Sequence, residues 1–299
     1  MYSLENNKIK ISIKKTGAEL CEISSIKNKT QFMWDANPDI WANYAPNLFP
    51  IIGALKNNTY IYNNKSYQLP KHGFIRNNKD LVLIQETKNS LTFKLKYNDN
   101  LLKNYPFKFD YQITYKLVNN KIKITYAVTN LDHKSIYFSL GGHPAFKCPV
   151  YKNENYNDYF LEFEHVEQSH THLINKQNGL ISLKTTPVFT DSNIIDLHHN
   201  LFNNDALIFK DLSSRKVTLS SKNKGPILTM HYKDFNYLGV WAKPKANFVC
   251  IEPWLGIADP EKTNQIITHK EGIINLEANK KFTASYDIEI HDSALKDIE

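Results

Sequence analysis

Apolar and polar residues alternate with a period of two along most of the chain. The longest runs are Phe107–Leu117 and Ile122–Val128, separated by Asn119-Asn120. Asparagine tolerates positive φ, so this pair predicts a hairpin turn between two strands. Further strands are predicted at Ile9–Ile13, Leu91–Tyr97, Ile136–Leu140, Tyr159–Phe163, Leu207–Phe209, Val217–Leu219, Ile227–Tyr232, Leu238–Trp241, Phe248–Glu252 and Phe282–Ile290.

This pattern predicts an all-β fold. No apolar stripe of period 3.6 reaches helical length, and the strands are not interleaved with helices, so a parallel α/β sheet is excluded. A large antiparallel β-sandwich of two sheets fits best. The chain shows no internal repeat, linker-like stretch or change of composition, and we therefore expect a single domain over residues 1–299.

Charge and composition narrow the class of partner. The net charge is +7, from 37 Lys+Arg against 30 Asp+Glu, but the lysines are scattered and only Arg76 and Arg215 are arginines. Nucleic-acid binders use more arginine, so no nucleic-acid partner is expected. No apolar run is long enough to span a membrane. Three cysteines without a CxxC pair and the lack of a secretion signal predict a reduced, cytoplasmic protein. No signal for an oligomeric state is present.

Three segments interrupt the alternation with residues that strands do not need. They are Asn47–Gly53 leading to Leu69–Arg76, then Gly141–Phe146, and Cys250–Trp254 leading to Asp259-Pro260 and Asn264. Glycines beside a histidine let the backbone bend sharply and approach a ligand closely.

The candidate residues in these segments fit one acid–base chemistry. His143 follows two glycines, and Glu252 ends an apolar strand on the same face as Cys250. One histidine and one glutamate can open a hemiacetal ring, and this chemistry needs no metal and no cofactor. Trp254 offers an aromatic platform for a sugar. Taken singly, a histidine is more often a structural hydrogen-bonding residue, and Glu252 could be solvated at a strand end.

His170-Thr171-His172 lacks a further ligand, so no metal site is predicted.

Together, five motifs in this order resemble the aldose 1-epimerase (galactose mutarotase-like) family, in its short bacterial branch. They are Asn47–Gly53, His72–Arg76, Gly141–Phe146, Asp205–Phe209, and Ile251–Trp254 with Asp259 and Asn264. The resemblance implies a large β-sandwich and an isomerase that interconverts the α and β anomers of a free aldohexose.

The resemblance also implies roles for individual residues. His143 would be the general acid at the ring oxygen and Glu252 the general base, whereas His72 and Asp205 would bind the sugar. We expect His143 and Glu252 to face one another across a groove with room for a pyranose between them. We also expect the pKa of His143 to stay at or above its reference of about 6.5.

One position departs from the family pattern. Well-known members carry an arginine where this chain has Ala54, and we expect Arg76 to line the groove near His72 and take over part of that role. Two alternatives stay open. Lys71 and Arg76 could hold the phosphate of a hexose 6-phosphate, or the protein could bind carbohydrate without catalysis.

Overall fold

A computed structural model describes residues 1–296, and the last three residues of the predicted domain, 297–299, lie outside this range. The described chain forms 24 strands, which pair antiparallel, and two short α-helices. The strands of the first half are β1 (Tyr2–Glu5), β2 (Ile9–Ile13), β3 (Leu20–Ser25), β4 (Asn47–Leu48), β5 (Thr59–Tyr62), β6 (Lys65–Gln68), β7 (Val82–Thr87), β8 (Ser90–Lys96), β9 (Phe109–Val118), β10 (Lys121–Asn130), β11 (Ile136–Phe138) and β12 (Leu140–Gly142). Those of the second half are β13 (Ala145–Lys147), β14 (Tyr159–Glu167), β15 (His170–Ile174), β16 (Ile181–Pro187), β17 (Ser192–Asp196), β18 (Leu207–Phe209), β19 (Lys216–Ser221), β20 (Gly225–His231), β21 (Tyr237–Trp241), β22 (Phe248–Leu255), β23 (Ile274–Leu276) and β24 (Lys281–Ile290).

The larger sheet has nine strands in the order β17-β14-β19-β20-β24-β10-β9-β8-β7. Strands β9 and β10 form its central hairpin, and Asn119 in the predicted turn has a φ of +56°. Alternate residues of both strands are buried, as the period-two pattern predicts. The predicted antiparallel β-sandwich is therefore confirmed.

The smaller sheet has the order β18-β21-β22-β12-β4, with β13 paired to β22, and it includes parts of the three segments that interrupt the alternation. The predicted strand Ile136–Leu140 is wrong as one element, because it divides at Ser139 into β11, which pairs with β23, and β12, which pairs with β22 and β4. The Ser139 N–H donates to the carbonyl of Pro50 instead of joining a ladder. The division carries the chain from the two-stranded β11–β23 sheet into the smaller sheet of the sandwich.

Strand β22 is longer than predicted. Glu252 does not end it, because Pro253, Trp254 and Leu255 continue the pairing with β21 or β12. All eight residues of β22 are buried. The alternative of a solvated Glu252 at a strand end is thereby excluded, and its carboxyl group lies inside the protein.

Aromatic residues fill the space between the sheets. Phe49, from the first motif, contacts Tyr111 of the larger sheet, Phe138 of β11 and Phe74 at centroid distances of 5.0–5.8 Å. Burying a ring of this size removes on the order of 150–250 Å² from water. The first motif is thus fixed by the core, and this holds the residues after it against the smaller sheet.

The α-helices, α1 (Asp99–Asn104) and α2 (Asp292–Leu295), are connectors of six and four residues. The Asn98 side chain caps α1 by accepting the Leu101 N–H at 2.9 Å. No helix within residues 1–296 is long and apolar enough to cross a membrane. Neither helix was predicted, because one or two turns are too short to show a 3.6-residue period.

Candidate active site

Glu252 lies in the middle of β22 and is 1% exposed. Its partner on β21 is Gly239. A Cβ at Gly239 would come within 2.6 Å of the Trp254 ring, so glycine leaves room for the indole to lie across β21. Trp254 and Glu252 share one face of the strand, because they are two residues apart.

His143 follows β12 at the point where the chain leaves the sheet. The backbone N–H of His143 donates to the carbonyl of Pro46 at 3.1 Å. A Cβ at Gly141 would lie 2.5 Å from the carbonyl oxygen of Pro253, so that glycine permits the close pairing of β12 with β22. The imidazole stacks on Trp41, with 5.1 Å between ring centroids and 28° between planes.

His143 and Glu252 touch directly. Nε2 of His143 lies 3.2 Å from Oε2 of Glu252, although the contact is not aligned as a hydrogen bond. The expectation of a groove with room for a pyranose between them is therefore wrong. The reason is geometric: β12 and β22 are neighbours in one sheet, with Gly141 opposite Trp254. Both groups approach a ligand from the same side.

Burial decides the protonation of this pair. Burial lowers the pKa of His143 to about 3, and the positive charges of Arg76 and Lys71 act in the same direction. Burial also raises the pKa of Glu252 well above its ordinary value. The expectation that the His143 pKa stays at or above its reference value is wrong, because removal from water disfavours the charged form. The lowered pKa of His143 and the raised pKa of Glu252 both favour a neutral imidazole beside a protonated carboxyl group.

His72 lies in the turn after Pro70, with a φ of +67°. Its imidazole Nδ1 accepts the Gly53 backbone N–H at 3.1 Å, and the backbone N–H of His72 donates to the Gly53 carbonyl at 2.9 Å. Burial lowers the pKa of His72 well below its ordinary value, and the adjacent His143 does the same. A neutral imidazole that accepts at Nδ1 carries its hydrogen on Nε2. His72 is therefore a fixed donor at the cavity.

Arg76 lies near His72, as predicted, and lines the same cavity. It belongs to a 3-10 turn over Ile75–Asn77, and its carbonyl packs so closely on Gly17 that a Cβ there would lie 2.5 Å away. Burial lowers its pKa, while the charges of Glu19 and Glu252 partly oppose this. The backbone of Arg76 is thus held by close packing on Gly17, and its side chain lines the cavity.

Ala54, where the family resemblance implies an arginine, is buried. A Cβ at Gly179, in the turn between β15 and β16, would lie 3.2 Å from the Ala54 Cβ. The β15–β16 turn therefore packs against Ala54. Ala54 does not line the cavity, whereas Arg76 does so from another segment.

Asp205 precedes β18 and has a φ of +75°. Its Oδ1 accepts the N–H of Ala206 at 2.8 Å, which fixes the carboxylate at the cavity edge. Its negative charge is one of the influences that raise the pKa of Glu252. Both Asp205 and His72 have a positive φ and line the cavity.

One cavity of about 220 Å³ brings together all six residues predicted from the sequence. They are His72, Arg76, His143, Asp205, Glu252 and Trp254. Four buried polar atoms in this set have no hydrogen-bond partner within the described protein: Arg76 Nε, His143 Nδ1, Glu252 Oε2 and Trp254 Nε1. Buried polar groups are normally paired, so this cluster is suited to a ligand rich in hydroxyl groups.

Two further residues of the cavity were missed by the sequence reasoning. Trp41 stacks on His143, and Trp241 meets the same imidazole edge-on at a centroid distance of 5.8 Å. Trp241 lies opposite Cys250 on β21, so the alternation places it on the face of Glu252. Trp41 lies in an irregular segment, where no periodicity could have indicated its position.

Comparisons with known proteins show which family the chain resembles. A family profile described as aldose 1-epimerase matches residues 1–269. The LacX proteins of Lactococcus lactis subsp. lactis are 34% identical over 96% of this chain and 98% of their own length. A galactose mutarotase-related enzyme from Lactobacillus acidophilus superposes with a TM-score of 0.93 at 36% identity, covering 100% of this chain and 99% of that one. A galactose mutarotase-like protein from Lactobacillus casei superposes with a TM-score of 0.89 at 28% identity, covering 97% of this chain and 100% of that one.

The chain belongs to the aldose 1-epimerase family and has the galactose mutarotase-like β-sandwich fold. Membership of this family implies a sugar substrate and a place among the isomerases.

Proposed function

We propose that this protein is an aldose 1-epimerase that interconverts the α and β anomers of a free aldohexose. The observation that carries the proposal is the buried contact of His143 with Glu252, 3.2 Å apart at a cavity with unpartnered polar atoms. A binding protein needs hydrogen bonds but no adjacent acid and base, and leaving two ionisable groups unpaired in its interior would cost stability. The arrangement therefore favours catalysis over binding alone.

The reaction is a pair of coupled proton transfers. Glu252 accepts the proton of the anomeric hydroxyl while His143 protonates the ring oxygen; the C1–O5 bond breaks and the C1=O1 bond forms. Rotation about C1–C2 presents the other face of the aldehyde, and the two transfers then run in reverse. Both reacting oxygens are bonded to C1, so an acid and a base in direct contact can reach them from one side.

One shared proton serves both states of the pair. The neutral pair that burial favours, with the proton on Glu252, corresponds to the state after ring opening. The starting state, with imidazolium and carboxylate, has the same number of protons and is reached by transfer across 3.2 Å. The hydroxyl groups of the sugar favour this ionic state, because hydrogen bonds to charged groups are the stronger ones.

The other cavity residues hold the sugar. His72 donates through Nε2, Asp205 accepts from hydroxyl groups, and Trp41, Trp241 and Trp254 offer aromatic surface. Arg76 supplies donors that Ala54 cannot. These contacts orient C1 over the His143–Glu252 contact, which is the main requirement for a reaction without a cofactor.

A hexose 6-phosphate is the second candidate substrate. Lys71 and Arg76 both line the cavity beside His72, and two positive charges on one side suit a phosphate. Only Asp205 and the largely neutral Glu252 oppose them within the cavity.

Polarimetry separates the candidates. Freshly dissolved α-glucose, α-galactose and α-glucose 6-phosphate are followed with and without enzyme, and the spontaneous rate is subtracted. We expect acceleration with a free hexose. Acceleration with the phosphate alone would transfer the assignment to the second candidate, and tight sugar binding without acceleration would identify a binding protein.

A further inference from the structure

Cys250 lies two residues before Glu252 on the same face of β22, and the proposed mechanism does not use it. Cys250 is fully buried and pairs with Trp241 on β21. A ring nitrogen of His143, Sγ of Cys250 and a carboxylate oxygen of Glu252 all lie within 4.8 Å of one another. Of residues 1–296, these three form the one cluster of His, Cys, Asp and Glu close enough to hold a metal ion.

The donor set has the chemistry of a zinc site. Imidazole, thiolate and carboxylate are the three ligand types that Zn²⁺ prefers, and three protein ligands with an open fourth position are typical of accessible sites. Ligands at 2.0–2.3 Å in a tetrahedron lie roughly 3.3–3.8 Å apart. The His143–Glu252 spacing of 3.2 Å is already close to this range. The sulfur lies within 4.8 Å of the other two donor atoms, and rotation of the cysteine side chain can bring it nearer to them.

The unpartnered atoms point to the same conclusion independently. Oε2 of Glu252 is buried without a hydrogen-bond partner, although the residue lines the cavity. A buried carboxyl group of this kind gains more from a metal ion than from any single neutral donor, because the ion compensates its charge. The cavity supplies the path by which an ion reaches it.

We propose that His143, Cys250 and Glu252 form an inhibitory binding site for Zn²⁺. Three ligand bonds form, while the thiol proton of Cys250 and the shared proton of the His143–Glu252 pair leave to solvent. The ion occupies the two groups that move protons in the reaction. Binding of zinc requires only the three residues, whereas inhibition also rests on the proposed function.

The first measurement is independent of activity. Co²⁺ replaces Zn²⁺ in such sites, and thiolate coordination gives a near-ultraviolet charge-transfer band. Wild-type protein titrated with Co²⁺ should develop the band, Zn²⁺ should displace it, and Cys250→Val should lack it. Cys21→Ser is the matched control, because Cys21 lies on β3 outside the cluster, and it should keep the band. If Cys250→Val does not fold, Cys250→Ala serves the same purpose.

The second measurement is inhibition of the best sugar's mutarotation by buffered Zn²⁺. Each variant is compared with its own metal-free rate. Chelator should restore the wild-type rate, and Cys250→Val should need at least about tenfold more Zn²⁺, since even changes outside the ligand shell cost 10–100-fold. A missing Co²⁺ band in the wild type, or equal inhibition of Cys250→Val, would overturn the metal site. A Co²⁺ band in a protein inactive on every sugar would contradict the proposed function and leave the metal site standing.

Discussion

His143 Nε2 lies 3.2 Å from Glu252 Oε2, and the two side chains are 10% and 1% exposed. Glu252 lies on β22, and His143 directly follows the adjacent strand β12. The low polarity around them favours the neutral form of both, so the pair holds one proton between two sites. With a second proton bound, the pair has no base to accept the anomeric proton. With no proton bound, it has no acid to protonate the ring oxygen.

The pH dependence of kcat/KM follows from this arrangement. A second proton joins the pair only when His143 takes up a proton while Glu252 keeps its own, and burial lowers the pKa of His143 to about 3. Activity should therefore persist from neutral pH down to about pH 5 instead of falling near about 6.5, the ordinary histidine value. The profile is measured on chelator-treated enzyme with the spontaneous rate subtracted. An acid limb centred near the ordinary histidine value would contradict the neutral pair.

Stability should depend on pH through His72. Its folded-state pKa is lowered, so the unfolded chain binds more protons below the ordinary histidine pKa, and stability is lost as pH falls below about 6.5. The contribution is up to about 1.4 kcal/mol per pH unit. The His143–Glu252 pair adds little between about 4.5 and 6.5, because one proton is bound to the folded pair and to the unfolded pair alike.

Urea unfolding of wild type and His72→Gln at several pH values tests this. The variant should have a shallower loss of unfolding free energy on acidification. Equal slopes would mean that His72 is not held neutral in the folded protein.

Arg76 should determine how the cavity treats an anionic sugar. Arg76→Ala should raise KM for a free hexose, because it removes one set of hydrogen-bond donors. The sugar hydroxyl groups left without a partner should cost about 1–3 kcal/mol of binding free energy. The rates are measured for a free hexose and for a hexose 6-phosphate in parallel. Loss of the phosphate activity with an unchanged free-hexose KM would favour the second candidate and contradict the proposed role of Arg76.

Gly239 should be needed for the position of Trp254. Gly239→Ala places a Cβ 2.6 Å from the indole, and such overpacking typically costs 1–3 kcal/mol. We expect a higher KM as well as lower stability. Gly225→Ala is a suitable control, since its φ of +78° imposes backbone strain but no atom lies within 4 Å. If both variants lose stability and neither changes KM, Trp254 is not part of the sugar site.

The sequence predicted the strands best where one face is buried and the other is not. The alternation in Phe109–Val118 and Lys121–Asn130 marks the central hairpin, and ordered motifs indicated six residues that share one cavity. The division of β11 from β12 at Ser139 could not be predicted from the hydrophobic pattern, because both strands are apolar. The pKa directions of His143 and Glu252 depend on burial by distant segments such as that of Trp41, which no local pattern records.

The most direct test of the account is the rate of Glu252→Gln with the best sugar, measured by polarimetry on folded protein. The amide keeps the size of the side chain but cannot accept the anomeric proton, so the rate should fall about 10²–10⁴-fold, roughly 3–5 kcal/mol of barrier, with much less change in sugar binding. The rate of His143→Asn with the same sugar should fall by a comparable factor. Glu167→Gln, a buried glutamate bound to Ser213 and Ser214 outside the cavity, should retain activity. A wild-type rate in Glu252→Gln would contradict the assignment of Glu252 as the base.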